Sequence, residues 1–202
     1  MKVHDCEQGT EAWHEIRLGR VTASHFKDVL NKKSGRETYM ERLATERRFG
    51  ERQDVYQNKA MAEGTAKEPD ARDWYACTQW VDVEQVGFVE KTDDVGCSPD
   101  GLVGTDGMIE IKCPYLSTHN RYERKYFKRG ILVPEYKAQV QGQLWVCERQ
   151  WCDFISYHPD AVTVDGEDVR LLVVRVERDE AYLTILSAAV ATFVTELKEM
   201  EN

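Results

Sequence analysis

Between Cys97 and Pro114 the chain reads Cys-Ser-Pro-Asp-Gly-Leu-Val-Gly-Thr-Asp-Gly-Met-Ile-Glu-Ile-Lys-Cys-Pro, and three of these residues have the types to do chemistry. Asp100 precedes one short apolar run; Glu110 and Lys112 lie within a second, among Met108, Ile109 and Ile111. The runs flank Gly104-Thr105-Asp106-Gly107, whose Asp-Gly dipeptide predicts a hairpin turn. Side chains two apart on a strand share a face, so Glu110 and Lys112 stand together, and strand pairing brings Asp100 beside Glu110. Two carboxylates and a lysine on an apolar hairpin are costly unless they hold a cation or serve a reaction. Mg2+ takes oxygen ligands, commonly one or two carboxylates with water and substrate phosphate. Asp100 and Glu110 would supply the carboxylates and Ile111 a backbone carbonyl. Lys112 would orient or help deprotonate an attacking water, or offset transition-state charge. A second ion sharing Asp100 would stabilise the leaving oxygen. This points to a divalent-metal hydrolase site.

The same Glu-x-Lys triplet recurs at Glu123/Lys125, Glu135/Lys137 and Glu196/Lys198, all on predicted helices, so the bare triplet is uninformative. What singles out Glu110/Lys112 is the apolar strand around it and the aspartate one hairpin away. The other reading of the hairpin is a surface turn with a Glu/Lys pair.

The elements that must position these residues follow from the pattern around them. Thr10 caps a helix with Trp13 and Ile16 on one face, and Thr22-Ala23-Ser24 caps a second running to Leu30. Arg17, Arg20 and Ser24 gather at the turn between, either as a phosphate site at a helix start or as a capping serine with two solvated arginines. Residues 31 to 37 predict a mobile loop, Glu37 to Phe49 a charged helix, and Asn58 to Thr78 a longer helix interrupted near Gly64 and Pro69. On that helix Glu68 reads as a solvated residue. Val81 to Val89 predicts one strand leading into the hairpin.

Beyond the hairpin, Ser117 to Gly130 interleaves His119, Arg121, Arg124, Lys125, Lys128 and Arg129 with Tyr122, Tyr126 and Phe127. It is either a surface that grips a phosphate backbone or an amphipathic helix with buried aromatics. Pro134 opens a helix to Cys147 on which Gln139 and Gln143, four apart, share a face. Trp151 to Tyr157 and Leu171 to Val176 read as strands, with Asp165-Gly166 in the loop between them, and Ala181 to Met200 as an amphipathic closing helix. The order predicts an α/β (α+β) fold: one domain over residues 1–202, with a mixed sheet whose faces helices cover.

The totals bound the function. A chain of 202 residues fits one cored domain, and 42% hydrophobic with 31% charged residues is ordinary for a globular protein. No run of about 18 apolar residues and no signal-peptide core stand out, so a cytoplasmic protein without a membrane partner is expected. Six cysteines without a C-x-x-C pair argue against a zinc ribbon; Cys97 and Cys113 flank the hairpin, where they could face each other, either as small packing residues or in a redox or metal role. A net charge of −9 argues against a nucleic-acid coat protein. It is compatible with a nucleic-acid enzyme, which needs positive potential only along its channel.

Pro99-Asp100 followed by Glu110-Ile111-Lys112 resembles the PD-(D/E)xK nuclease signature. Three further stretches resemble the lambda exonuclease (YqaJ-type viral recombinase) family: Ala12 to Gly19 with Thr22-Ala23-Ser24, Gly64 to Tyr75 around Glu68, and Ala138-Gln139-Val140-Gln141. The likeness runs from about Glu7 to Pro159. It implies a restriction-endonuclease-like core and a processive 5′-to-3′ exonuclease that digests one strand of linear duplex DNA from a 5′-phosphorylated end. A 3′ single-stranded overhang would remain for recombination by strand annealing. It further implies a homotrimeric ring, a single-strand annealing protein as partner, a prophage or bacterial host cytoplasm, and two Mg2+ ions with Mn2+ as substitute. By the same resemblance, Asp100, Glu110 and the Ile111 carbonyl become metal ligands, Lys112 the catalytic lysine, and Glu68 a water-positioning carboxylate. Gln139 joins the active site, Arg17, Ser24 and Ser98 the 5′-phosphate site, and Trp13 the DNA end. The competing expectations are a structure-specific endonuclease of the same fold and a non-catalytic DNA-binding module.

Overall fold

A computed structural model describes residues 1–31, 34–53, 59–162, 166 and 168–200. In chain order the elements are β1 (Lys2–His4), α1 (Glu11–Arg17), β2 (Val21–Thr22), α2 (Phe26–Leu30), α3 (Ser34–Phe49) and α4 (Lys59–Gln79). Four strands follow: β3 (Val83–Glu84), β4 (Phe88–Thr92), β5 (Val95–Cys97) and β6 (Gly101–Val103). Then come β7 (Gly107–Lys112), α5 (Leu116–Lys125), α6 (Lys137–Val146), β8 (Trp151–Tyr157), β9 (Leu171–Glu177) and α7 (Glu180–Glu199).

The strands form two sheets where one was expected. β3-β6-β7-β8-β9 make the larger and β1-β4-β5-β2 the smaller. Each is mixed: β7 runs parallel to β8 and β2 parallel to β5, and the other pairs are antiparallel. The predicted strand Val81 to Val89 divides between the sheets because its middle is engaged elsewhere. The carbonyl of Val86 accepts from Gln8 Nε2 at 2.9 Å and that of Gly87 from Trp13 Nε1 at 3.0 Å, which takes both out of a ladder.

β7 is at the centre of the larger sheet, and its alternation sorts the two cores. Met108 packs with Phe154, Leu144 and Val174 on the side of α2, α3, α6 and α7. Ile109 and Ile111 pack with Ala71 and Tyr75 of α4 and with Ile155 on the other. Period-two alternation therefore sends Glu110 and Lys112 to the side of Met108, towards α6. α6 comes close to α2 because residue 142 is glycine: a Cβ there would stand 2.2 Å from the Phe26 ring.

Several local expectations are corrected. The hairpin turn falls within Gly104 to Gly107 as expected but is one residue shorter: Gly104 stands at φ +52°, and Gly107, paired with Val103, is already in the strand. Gly107 is needed for space, since a Cβ would lie 2.1 Å from the Trp151 ring. The predicted loop 31 to 37 is helical from Ser34, while Lys32 and Lys33 lie outside the described residues, as does Asp165. α4 continues through Pro69, whose ring removes one hydrogen bond to the exposed residue Thr65, a carbonyl water can reach. α7 is long and apolar enough by composition to cross a membrane, but Leu183, Leu186, Val190, Phe193 and Leu197 form a face buried in the core.

Candidate active site

The hairpin delivers its charged residues as its strand period requires. Asp100 immediately precedes β6, whose first residue pairs with Ile109. Its Oδ2 accepts from the Ile111 backbone N–H at 2.6 Å. N–H and C=O of one strand residue point to the same edge, so the Ile111 carbonyl faces the Asp100 side too. Arg72, one turn beyond Glu68 on α4, donates from Nε to the Asp100 carbonyl at 2.9 Å and fixes the turn.

Glu110 is 1% exposed, a charge that must be compensated where it stands. Lys112 Nζ and Gln139 Nε2 both donate to its Oε1, at 2.5 and 2.6 Å, and Gln143 Nε2 donates to Oε2 at 2.7 Å. α6 places these two glutamines on one face, four residues apart, and aims both at one carboxylate. A carboxylate offers about four lone-pair positions, so a further one remains on Oε2. No donor among the described residues contacts Asp100 Oδ1.

The cluster holds more negative than positive charge. Burial, then Glu110, pushes the Asp100 carboxyl well above its ordinary range; Lys112 opposes this and Glu68 adds to it. Glu68 is also raised, first by burial and by Glu110, with Lys112 pulling the other way. Burial would lower the Lys112 ammonium, but Glu110 and Asp100 outweigh it and hold the group firmly protonated. Three carboxylates around one lysine form an environment that a cation would relieve. Among the described residues no three His, Cys, Asp or Glu side chains group as a metal site. A cation here would take two carboxylates and a carbonyl from the protein, a donor set that suits Mg2+ with its retained waters.

The predicted phosphate residues gather nearby. Ser98 Oγ accepts from Trp13 Nε1 at 2.9 Å and from Arg17 Nη1 at 3.0 Å, and the Arg17 guanidinium lies 4.2 Å over the Trp13 ring. Burial is the main reason Arg17 is lowered to about 10, so it stays charged at neutral pH. Ser24 is exposed, 3.2 Å from Thr22 Oγ1, in the single 3-10 turn Ala23–His25 that opens α2. A cavity of about 100 Å³ is lined by Trp13, Arg17, Ser24, Ser98, Gln139 and Gln143 together. It joins the residues expected to bind phosphate to the glutamines that hold Glu110.

Gln143 and Arg72 were not expected in the site. Their signals were present: each stands four residues after a candidate, Gln139 or Glu68. Gln8, which lines the cavity and bonds the Pro99 carbonyl at 2.9 Å, left no such signal. Cys97 faces Cys147, with sulfurs 3.4 Å apart, and not Cys113, because β5 runs under α6. In the basic stretch, Tyr122 is buried and Tyr126 and Phe127 pack on the core, so the amphipathic reading holds there. His119 is buried between Ser156 Oγ and the Val169 carbonyl, at 2.9 and 2.8 Å. None of the residues 119–130 lines the cavity.

The model of the YqaJ-like viral recombinase domain matches residues 12–150, which contain every candidate site residue. The chain belongs to this family. It is similar to the alkaline exonuclease LHK-Exo of Laribacter hongkongensis, with 40% identity, 95% of each chain covered and a TM-score of 0.85. The same figures hold for that exonuclease in complex with dAMP. A phage-related exonuclease from Haemophilus somnus 129PT is 16% identical over 90% of this chain and 93% of its own, with a TM-score of 0.63, and shares the fold. Among curated protein sequences none matches. The fold, a mixed sheet with helices on both sides, is the PD-(D/E)xK-type exonuclease fold of these structures.

Proposed function

We propose that the chain is a Mg2+-dependent exonuclease that digests one strand of linear duplex DNA from a 5′-phosphorylated end and leaves a 3′ overhang. Family membership and the likeness to an alkaline exonuclease support a nuclease acting on DNA. The observation that carries the finer reading is the single cavity shared by Arg17, Ser24 and Ser98 with Gln139 and Gln143. A terminal phosphate bound at the first group would set the adjoining phosphodiester near the second. A site that must hold a chain end favours exonuclease over endonuclease action.

Asp100, Glu110 and the Ile111 carbonyl would hold Mg2+, which when bound polarises the scissile phosphoryl oxygen and acidifies an attacking water; Mn2+, with the same oxygen preference, is the substitute. Gln139 and Gln143 keep the Glu110 carboxylate in one orientation, so its free lone pair is aimed without reorganisation. Protonated Lys112 offers charge to the developing phosphorane oxygens and is better suited to that than to acting as a base. Glu68 orients the attacking water. Arg17 presents a charged fork to the terminal phosphate, steadied by its stacking on Trp13, while Ser98 and Ser24 add hydroxyl donors. The full reading includes a homotrimeric ring for processivity, a single-strand annealing protein that receives the product strand, and work in a bacterial host cytoplasm.

The test is digestion of linear and circular duplexes, with 5′-phosphate or 5′-hydroxyl ends, in Mg2+ or chelator. Linear 5′-phosphorylated DNA should be degraded with Mg2+ alone; cutting of circles would exclude the exonuclease, and intact DNA throughout would exclude catalysis. Arg17→Ala should slow digestion of 5′-phosphorylated ends and spare 5′-hydroxyl ends; equal loss on both would remove its phosphate role. Mass by sedimentation checks the trimer.

A further inference from the structure

A second cavity, of about 200 Å³, shares Trp13, Arg17 and Thr22 with the first. A single water needs roughly 10–15 Å³ on such a measure, so this space holds a group of phosphate size with its solvation. Its other walls include Arg42, Arg52, Arg20 and Glu46. Arg20 is committed to Glu90 at 2.7 Å. Arg17 bonds the neutral Ser98 hydroxyl, and Arg52 Nη1 meets His14 Nε2 at 3.0 Å. Arg42 lies 3.8 Å from Glu46, whose other oxygen accepts from the Gly19 N–H. Three guanidinium charges against one carboxylate leave two positive charges.

The Arg42 Nε is buried and has no hydrogen-bond partner among the described residues. It has no open surface, so Arg42 meets the cavity through the rest of its side chain, which is 24% exposed. An arginine fork is suited to bidentate contact with a pair of phosphate or carboxylate oxygens. Two imidazoles complete the wall. His14 and His25 are both held below their ordinary range, chiefly by burial; Arg52 and Arg17 add to it at His14 against Glu11, and Arg42 and Arg17 at His25 against Asp28.

We infer that this cavity is a second phosphate-monoester site, which receives the mononucleotide released from the DNA end. The inference rests on the exonuclease reading for its source of ligand. A phosphate monoester carries about −1.5 to −2 at neutral pH and matches the two surplus positive charges, whereas each backbone diester carries one negative charge. An exonuclease that cuts one nucleotide at a time must clear a 5′-phosphate from its end site before the next arrives. Arg17, in the wall of both cavities, gives the departing phosphate a charged surface to follow.

The experiment is calorimetric titration of the full chain with deoxyadenosine 5′-monophosphate, inorganic phosphate and deoxyadenosine. Wild type should bind two nucleotides per chain, Arg42→Gln one, and deoxyadenosine should not bind. Arg52→Gln, at an exposed position, should weaken the second site at least about tenfold. Melting curves confirm that each variant is folded, and Arg52→Gln carries the test if Arg42→Gln is not. One site in wild type, or two unchanged sites in both variants, would overturn the inference. Equal affinity for inorganic phosphate would overturn the product role, and displacement by a 5′-hydroxyl oligonucleotide would assign the cavity to the DNA backbone instead. Two nucleotide sites in a chain that leaves DNA intact would keep the site and remove the nuclease reading. Cleavage with one site would do the reverse.

Discussion

Glu-x-Lys on β7 and Glu-x-Lys on the helices are the same three-residue pattern with opposite outcomes. On the strand, Glu110 and Lys112 bond each other at 2.5 Å. On the helices the partners separate: Glu123 takes Lys128 at 3.0 Å, and Glu135 accepts from Tyr122 while Lys137 reaches Asp179. Glu196 takes Arg36, and Lys198 takes Asp94. Residues two apart face one way on a strand and about 200° apart on a helix, so the backbone period decides which charges meet. Burial adds the second difference. Glu110 is enclosed with three donors, while the Glu196 side chain is 41% exposed to screening water. Chemistry needs the enclosed version, where a charge interacts strongly with its surroundings.

The sharpest break between the two would come from Asp100→Ala beside Glu135→Gln. The first removes the carboxylate assigned to both ions and should lower the rate on 5′-phosphorylated duplex by about 10³-fold or more, since one preorganised contact alone is worth about 10²–10³. The second replaces the charged acceptor of the Tyr122 hydroxyl by a neutral amide oxygen and should leave the rate unchanged, with stability lower by about 1 kcal/mol at most. Full activity in Asp100→Ala would mean that the strand triplet is as inert as its helical copies. The same pair sharpens the cation assignment without any assay of cleavage. Mg2+ at 100 times its dissociation constant should stabilise wild type and Glu135→Gln by about 2.7 kcal/mol and Asp100→Ala by nothing, read from urea unfolding. A gain in all three would place the ion elsewhere.

Gln143→Leu comes next, because it leaves β7 intact and removes only what α6 contributes. Glu110 Oε2 loses its donor at 2.7 Å, on a carboxylate only 1% exposed. Activity should fall about 10–100-fold, as for other residues that orient a ligand. Stability should fall by about 1–3 kcal/mol, the cost of an unsatisfied buried acceptor. Unchanged kinetics would mean that Lys112 and Gln139 suffice to hold the carboxylate.

This contribution of α6 marks the limit of what was legible from residues alone. The alternation of Met108 to Lys112, the helix order and the strands at Trp151 and Leu171 were readable because each pattern is local and long enough to have a period. The strands β1, β2 and β5 have two or three residues each, too few for a period, and so the smaller sheet stayed hidden. The division of Val81 to Val89 was hidden for another reason. Its cause lies with Gln8 and Trp13, 78 and 74 residues away, and no local pattern encodes it. In the site, the shared face of Gln139 and Gln143 was visible, but which carboxylate they hold depends on α6 crossing β7. Glu68 shows the same dependence: a solvated residue by its helix, it feels the charges of Lys112 and Glu110 only because α4 packs against β7.

The smallest effect is expected at the copy most like a surface charge. Glu196 on α7 holds Arg36 of α3 at 2.8 Å, with both groups partly open to water. Exposed pairs of this kind contribute about 0–1 kcal/mol, because solvent screens the attraction and two long side chains lose freedom. Glu196→Gln should therefore cost less than about 1 kcal/mol in urea unfolding, and the loss should shrink as salt is raised from 0.01 to 1 M, where the screening length falls from about 30 to about 3 Å. Digestion rate and Mg2+ stabilisation should both match wild type. A salt-independent loss would show that the pair is effectively buried between α3 and α7. The contrast with Glu110 would then rest on backbone period alone, with solvent exposure removed from it.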